Sequence, residues 1–185
     1  KVAAVNRYTA ATFAKVLLLC FTCSLSWSQE VATETRVKAA FLYKFCNYIR
    51  WPVTVFPDAQ SPLKIAVIND DVIAHELQHV VYDRIVAGRT VEVYSFSSVS
   101  DLEGMHVIYV AGDKFTQVHQ VLTLLLEKPV LTVTEITNGK RVGMINFVIE
   151  NNRVRFDIEK HYAEKSGLKL GAQLLSVARK VSTSE

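Results

Sequence analysis

The sequence predicts an α/β fold: a three-layer sandwich whose mostly parallel sheet of four strands is extended by a C-terminal antiparallel β-hairpin, with helices on both faces. Three observations predict it. Between residues 34 and 134 short apolar runs alternate with stretches of helical period, the order that builds a parallel sheet covered on both sides. The segment MINFVIENNRVRFDI, residues 144–158, then switches to strict alternation around Asn151-Asn152, as a half-buried hairpin does. Finally, once an N-terminal leader is set aside, about 157 residues remain, enough for one domain with a substantial core.

The leader comes first. Lys1, Arg7 and Lys15 precede an apolar run over 16–25, no acidic residue occurs before Glu30, and Ser26 and Ser28 are small residues at the two positions a signal peptidase reads. This predicts a secretory signal peptide over 1–28 and a single α/β domain over 29–185. The run is too short to span a bilayer, Cys20, Phe21 and Thr22 fit lipoprotein cleavage before Cys23 poorly, and the absence of Met at position 1 points to a longer leader. The net charge of +3 leaves with the three leader cations. What remains is near neutral, with no basic stripe for nucleic acid or acidic lipid. Of three cysteines, Cys20 and Cys23 also leave. Cys46 then has no partner for an internal disulfide; burial on a helix is expected, with pairing to another chain as the alternative.

Residues 34–50 carry Val37, Phe41, Phe45, Tyr48 and Ile49 on one side of a helix, with Tyr43 and Arg50 opposite, and Trp51-Pro52 ends it. The run 63–68 is a first strand. Asn69-Asp70-Asp71 caps a helix over 71–82, placing carboxylates at its positive end. Gly88-Arg89 turns into a second strand over 90–95, and His106 opens a third over 106–110. A helix over 114–127, capped by Asp113, turns Val118, Val121, Leu122 and Leu125 inward; Pro129 breaks it before a fourth strand over 130–134. In the hairpin, Ile149, Phe147 and Ile145 should oppose Val154, Phe156 and Ile158 on an apolar face. The other, solvated face should pair Glu150 with Arg153, Val148 with Arg155 and Asn146 with Asp157. A short helix over 159–166 stops at Gly167. A last helix over 170–181 shows Leu170, Leu174, Leu175, Ala178 and Val181 on one stripe.

One motif stands out. HELQH, residues 75–79, has the His-Glu-x-x-His spacing that puts two zinc ligands on one helix face with a water-polarising carboxylate between them. The helix phase argues against a catalytic centre. Ile73, Leu77 and Val80 cluster, flanked by Val72 and Val81, so His75 and His79 face water, and Tyr82 and Ile85 stand where an extended motif has Gly and a third His. No metal or cofactor is therefore expected; a zinc-dependent hydrolase using His75, Glu76 and His79 is the alternative. A second alternative is a small-molecule binding protein using the strand ends at Asn69, Ser95, Gly112 and Thr134. His106, at the head of a buried strand, reads as a satisfied core histidine, and His119 and His161 have no visible companions.

Six blocks carry a family resemblance: VKAAFLYKFCNYIRWP (37–52), PLKIAVINDD (62–71), AGRTVEV (87–93), HVIYV (106–110), PVLTVTE (129–135) and GMINFVIENNRVRFDI (143–158). In this order they resemble the YfiR family. The resemblance implies a periplasmic regulatory protein that is not an enzyme. It would bind the periplasmic region of an inner-membrane diguanylate cyclase and repress it, so controlling cyclic di-GMP and biofilm formation. It further implies an outer-membrane lipoprotein partner and a homodimer. Carried over by position, Phe41, Phe45, Pro52, Gly88, Arg89, Met144, Phe147 and Phe156 read as scaffold. Trp51, an aromatic beside proline at a helix end, together with Tyr43, Arg153 and Arg155, are the expected partner contacts. Two departures bear on redox control. Met105 precedes His106 where relatives often have Cys, and Cys46 stands where a small residue is usual, so an internal disulfide switch is not expected.

Overall fold

The structure is a computed structural model that describes residues 33–98, 102–112, 115–125, 127–135 and 142–183. The signal peptide expected over 1–28 and the cap expected at Asp113 lie outside the described residues.

Helix α1 runs over 33–48. Ala39, Leu42, Phe45 and Cys46 are buried, and Phe41 and Tyr43 are half-buried against the same core. The expected extension to 50 is corrected: Ile49–Arg50 form a short strand β1, paired antiparallel with β9, Lys169–Leu170. Pro52 forbids a continued helix, and a 3-10 turn over Val53–Val55 follows.

The sheet contains β2 (Leu63–Ile68), β3 (Ile85–Val86), β4 (Arg89–Phe96), β5 (Val107–Val110), β6 (Leu131–Glu135), β7 (Ile145–Glu150), β8 (Arg153–Glu159) and β10 (Lys180–Ser182). Their order is β10-β8-β7-β6-β5-β2-β4-β3. Strands β4, β2, β5, β6 and β7 are mutually parallel, and β8 returns antiparallel beside β7. The expected four parallel strands plus hairpin are all present. Two short edge strands, β3 and β10, were not expected; each satisfies backbone groups that an open edge would leave bare.

Helix α2 (Asp71–Val81) crosses from β2 to β4, and α3 (Phe115–Leu124) from β5 to β6. They lie on opposite faces. Ile73, Ala74 and Leu77 of α2 join Ile65, Val67, Val107 and Tyr109 and the α1 residues in one core; Val121 and, just after α3, Leu125 join Ala66, Ile68, Ile108 and Val110 in the other. This alternation follows from strands buried on both faces, and it makes three layers. Within α2 one detail is corrected: Val72, expected beside the apolar stripe, is 66 % exposed, and Ala74 takes the inward place. The first core is centred on Phe41, Phe45, Phe147 and Phe156, whose ring centroids lie 4.9 to 6.2 Å apart in stacked, tilted and edge-on pairs. Each such pair adds about 0.5–1.5 kcal/mol beyond area burial.

The hairpin has the expected register throughout, from Ile145 opposite Ile158 to Glu150 opposite Arg153. Asn151 and Asn152 both take positive φ, 49° and 63°, as a two-residue turn of this hand requires. The solvated polar face is corrected. Asn146 and Asp157 are fully buried. The Asn146 carboxamide closes the loop before β7, accepting from the Val142 and Gly143 amides and donating to the Gly143 carbonyl. Asp157 receives both Nε and Nη2 of Arg179 at 2.7 and 2.6 Å, and Arg179 also reaches Glu150 at 3.2 Å.

That ion pair explains the other correction. The last helix, expected over 170–181, is reduced to α5 (Ala172–Val177), preceded by α4 (Lys160–Lys165) and β9. Gly171 donates to the Tyr48 carbonyl at 2.7 Å, and a Cβ there would stand 3.0 Å from that oxygen, so a larger residue would have to push this backbone contact apart by a few tenths of an ångström. After Ala178 the chain turns extended, Arg179 donates its amide to Phe156, and Lys180–Ser182 pair with Asp157–Glu159. Tertiary bonds to an otherwise open edge override the helical period of this segment.

Candidate interaction surfaces

Asp70 caps α2 by accepting from the Ile73 amide at 2.8 Å. His75 and His79 point to solvent, as the phase of the helix requires, and their Nε2 atoms lie 3.3 Å apart. Glu76 leans the other way, with its carboxylate 3.7 Å from Arg36 of α1. Among the described residues no group of three or more His, Cys, Asp or Glu converges.

A second cluster forms where the parallel strands begin. The His106 ring accepts from the Lys64 amide through Nδ1 at 3.0 Å and donates from its other nitrogen to the Val55 backbone. Phe56 stacks on the ring at 4.5 Å and carries the Arg89 guanidinium over its own face at 3.8 Å. Arg89 also donates to the Asp58 and Ser61 carbonyls at 2.8 and 2.7 Å. Trp51 is half-buried against the first core, with its indole N–H on the His106 carbonyl at 3.2 Å. Burial, with the charges of Lys64 and Arg89, pulls the His106 pKa down to about 4, so the ring is neutral. The loop 52–62 is thereby clamped to the sheet. The position of Arg89 in this clamp was invisible in sequence, because its partners lie 28 and 31 residues away.

Arg153 and Arg155 lie at the other end of the molecule. Among the described residues, strand β6 accompanies β7 as far as the Glu135–Phe147 pair, and 148–155 pair only with each other. Both arginines are exposed there, as is Ile149 at 47 %. Strand β10 covers the outer edge of β8 only at 157–159. Tyr43 sits midway along α1, half-buried. The four expected contact residues are thus not one patch: Trp51 is at the start of the parallel strands, and Arg153 and Arg155 are beyond their ends.

The strand ends at Asn69, Ser95, Gly112 and Thr134 are also placed. Ser95 donates to the Asp71 carboxylate, and Thr134, fully buried, donates to Asn146 at 2.8 Å. Their hydroxyls hold the fold's own turns. A cavity of about 400 Å³ lies elsewhere, between α3 and α4 over the start of β6 and β7. Leu125, Thr132, Met144 and Ser166 are its buried lining, and His119, Tyr162 and Lys165 stand at its rim. Sequence reasoning missed it, since no single element's period records a gap between two helices. A part-buried ion pair was missed likewise: Lys38, 7 % exposed on the inner side of α1, meets Glu135 at 2.6 Å, and Tyr109 donates to the same carboxylate oxygen.

Comparison with protein-family models gives a match over residues 35–179, to the description YfiR/HmsC-like. The chain belongs to the YfiR/HmsC-like family. The match takes in every sheet strand except β10, and it begins in α1. Membership carries, at family level, the role of a periplasmic regulator of a diguanylate cyclase. No curated protein matches this YfiR/HmsC-like chain. Among its described residues no helix is long and apolar enough to cross a membrane.

Proposed function

We propose that this protein represses an inner-membrane diguanylate cyclase by binding its periplasmic region, and so lowers cyclic di-GMP and restrains biofilm formation. The observation that carries the reading is the family match across 35–179. A regulator of this kind acts by binding one conformation of its partner better than another, and it shifts the equilibrium by that difference alone. The exposed ribbon 148–155 supplies the docking surface, with Arg153 and Arg155 on one face and Ile149 on the other; Tyr43 and Trp51 contribute the smaller surfaces they leave uncovered. The protein works as a homodimer, and an outer-membrane lipoprotein relieves the repression by competing for it.

The test is capture of the cyclase's periplasmic region by the purified protein. Arg153→Glu with Arg155→Glu should weaken binding at least tenfold, about 1.4 kcal/mol, while leaving the melting temperature unchanged, because neither arginine supports the core. Undiminished binding by this variant would remove the ribbon from the interface; absence of any binding by the parent protein would remove the repressor reading itself.

The cavity between α3 and α4 favours a second reading, a small-molecule binding protein, because its buried lining combines Leu125 and Met144 with the hydroxyls of Thr132 and Ser166, and polar groups stand at its rim. Ligands that raise the melting temperature should lose their effect in Leu122→Trp, which fills the space from α3. A ligand whose shift persists in that variant binds elsewhere.

A further inference from the structure

The two histidines of α2 remain outside this reading of the protein as a repressor. Both rings are exposed, their centroids lie 4.5 Å apart, and their planes cross at 80°. The Nε2 to Nε2 separation is 3.3 Å. Two imidazole nitrogens bound to one tetrahedral zinc-class ion, each at 2.0–2.1 Å, are held about 3.3–3.4 Å apart by that geometry. The pair therefore already stands at the spacing that a single ion would impose, with the same nitrogen of each ring turned inward.

The helix beneath fixes the backbone from which both rings project. The Asp70 cap fixes the first turn, and Ile73, Ala74 and Leu77 are buried in the core on the opposite side. Residues four apart on such a helix are neighbours on one face. We propose that His75 and His79 form a two-histidine site for a divalent transition-metal ion of the zinc, nickel or copper class, which imidazole ligands suit. Without the ion, one Nε2–H donates to the other Nε2. On binding, the donor ring moves its proton to Nδ1, so both Nε2 lone pairs face the metal and no net proton is lost. Glu76, turned to Arg36, takes no part. The remaining coordination positions are open to water or to donors from outside the chain. This separates the site from a hydrolytic centre, which needs a third protein ligand and a carboxylate aimed at the bound water.

The experiment is calorimetric titration of the purified protein, freed of metal by a chelator, with Zn²⁺, Ni²⁺ and Cu²⁺ in turn. It is read beside histidine NMR with Cu²⁺ as a broadening probe. One ion per chain is expected, with early broadening confined to His75 and His79. Each of His75→Ala and His79→Ala should weaken binding at least about tenfold, since even loss of a supporting group around a metal costs 10–100-fold. Glu76→Gln should leave binding unchanged, and all three metal-free variants should melt with the parent. Failure to saturate near one equivalent, or binding that survives both α2 substitutions, overturns the proposal. Neither outcome touches the repressor reading, which rests on capture of a protein partner.

Discussion

His106 shows how one side chain can couple stability to pH. The folded protein holds the ring neutral, with a pKa near 4 against 6.5 for a free histidine. Between these values the unfolded chain binds a proton that the native state refuses, so stability falls as pH drops from about 6.5 to 4 and levels off below. The full difference amounts to about 3–4 kcal/mol. Urea midpoints measured across this window should fall in the parent protein, and the part of the slope due to this ring should vanish in His106→Gln. An unchanged slope would show that the ring is protonated within the fold. Cys46 behaves in the same spirit. Burial pushes its thiol up to about 12, and Sγ donates to the Leu42 carbonyl at 3.2 Å. A thiol so placed is a poor nucleophile and has no route to a second chain, which favours burial over intermolecular pairing.

Among the elements, the hairpin's strands and register were legible and the C-terminus was not. Alternation with a period of two fixes a strand's faces, and the Asn151-Asn152 turn fixes the register, so every cross-strand pair from 145 to 158 followed from local sequence. The α2 stripe was legible from its helical period, down to the outward histidines, except that Val72 is exposed and Ala74 buried in its place. By contrast, the break of the expected 170–181 helix depends on Asp157 needing a cation and on the β8 edge needing partners, and neither appears in a local window. The buried half of the hairpin's polar face was misread because Asn146 and Asp157 look solvated until their partners at 143 and 179 are known. Arg179→Ala tests this logic. It strips the guanidinium from a carboxylate with no solvent exposure and frees the last strand, and it should destabilise the fold by about 3 kcal/mol, the lower end of the range for breaking a buried pair because Arg179 is itself partly exposed. Chemical denaturation measures it; a loss within 0.5 kcal/mol, the usual range for a surface change, would mean that the pair is ornamental. Hydrogen exchange at 180–182 should quicken in the same variant.

At the scale of the whole molecule, stability and exposure are separated in space. Strands β2, β5 and β6 each lie between two others, are almost wholly buried, and are covered by helices on both faces. Their amides can exchange only when the domain opens as a unit. The ribbon 148–155 has only its own two strands for pairing among the described residues, and it is mostly exposed. Local opening there requires no disturbance of the core, so its amides should exchange far faster than those of 65–68, 107–110 and 131–133. Exchange followed by mass spectrometry gives this ordering directly, and equal protection of ribbon and centre would contradict it. The same measurement bears on regulation. A docking segment drawn from the less stable part of a fold can adapt to a partner while the sheet behind it stays fixed. Addition of the cyclase's periplasmic region should therefore slow exchange across 148–155 and leave the central strands unaltered; slowing at Trp51 and the 52–62 loop instead would move the interface to the opposite end of the sheet.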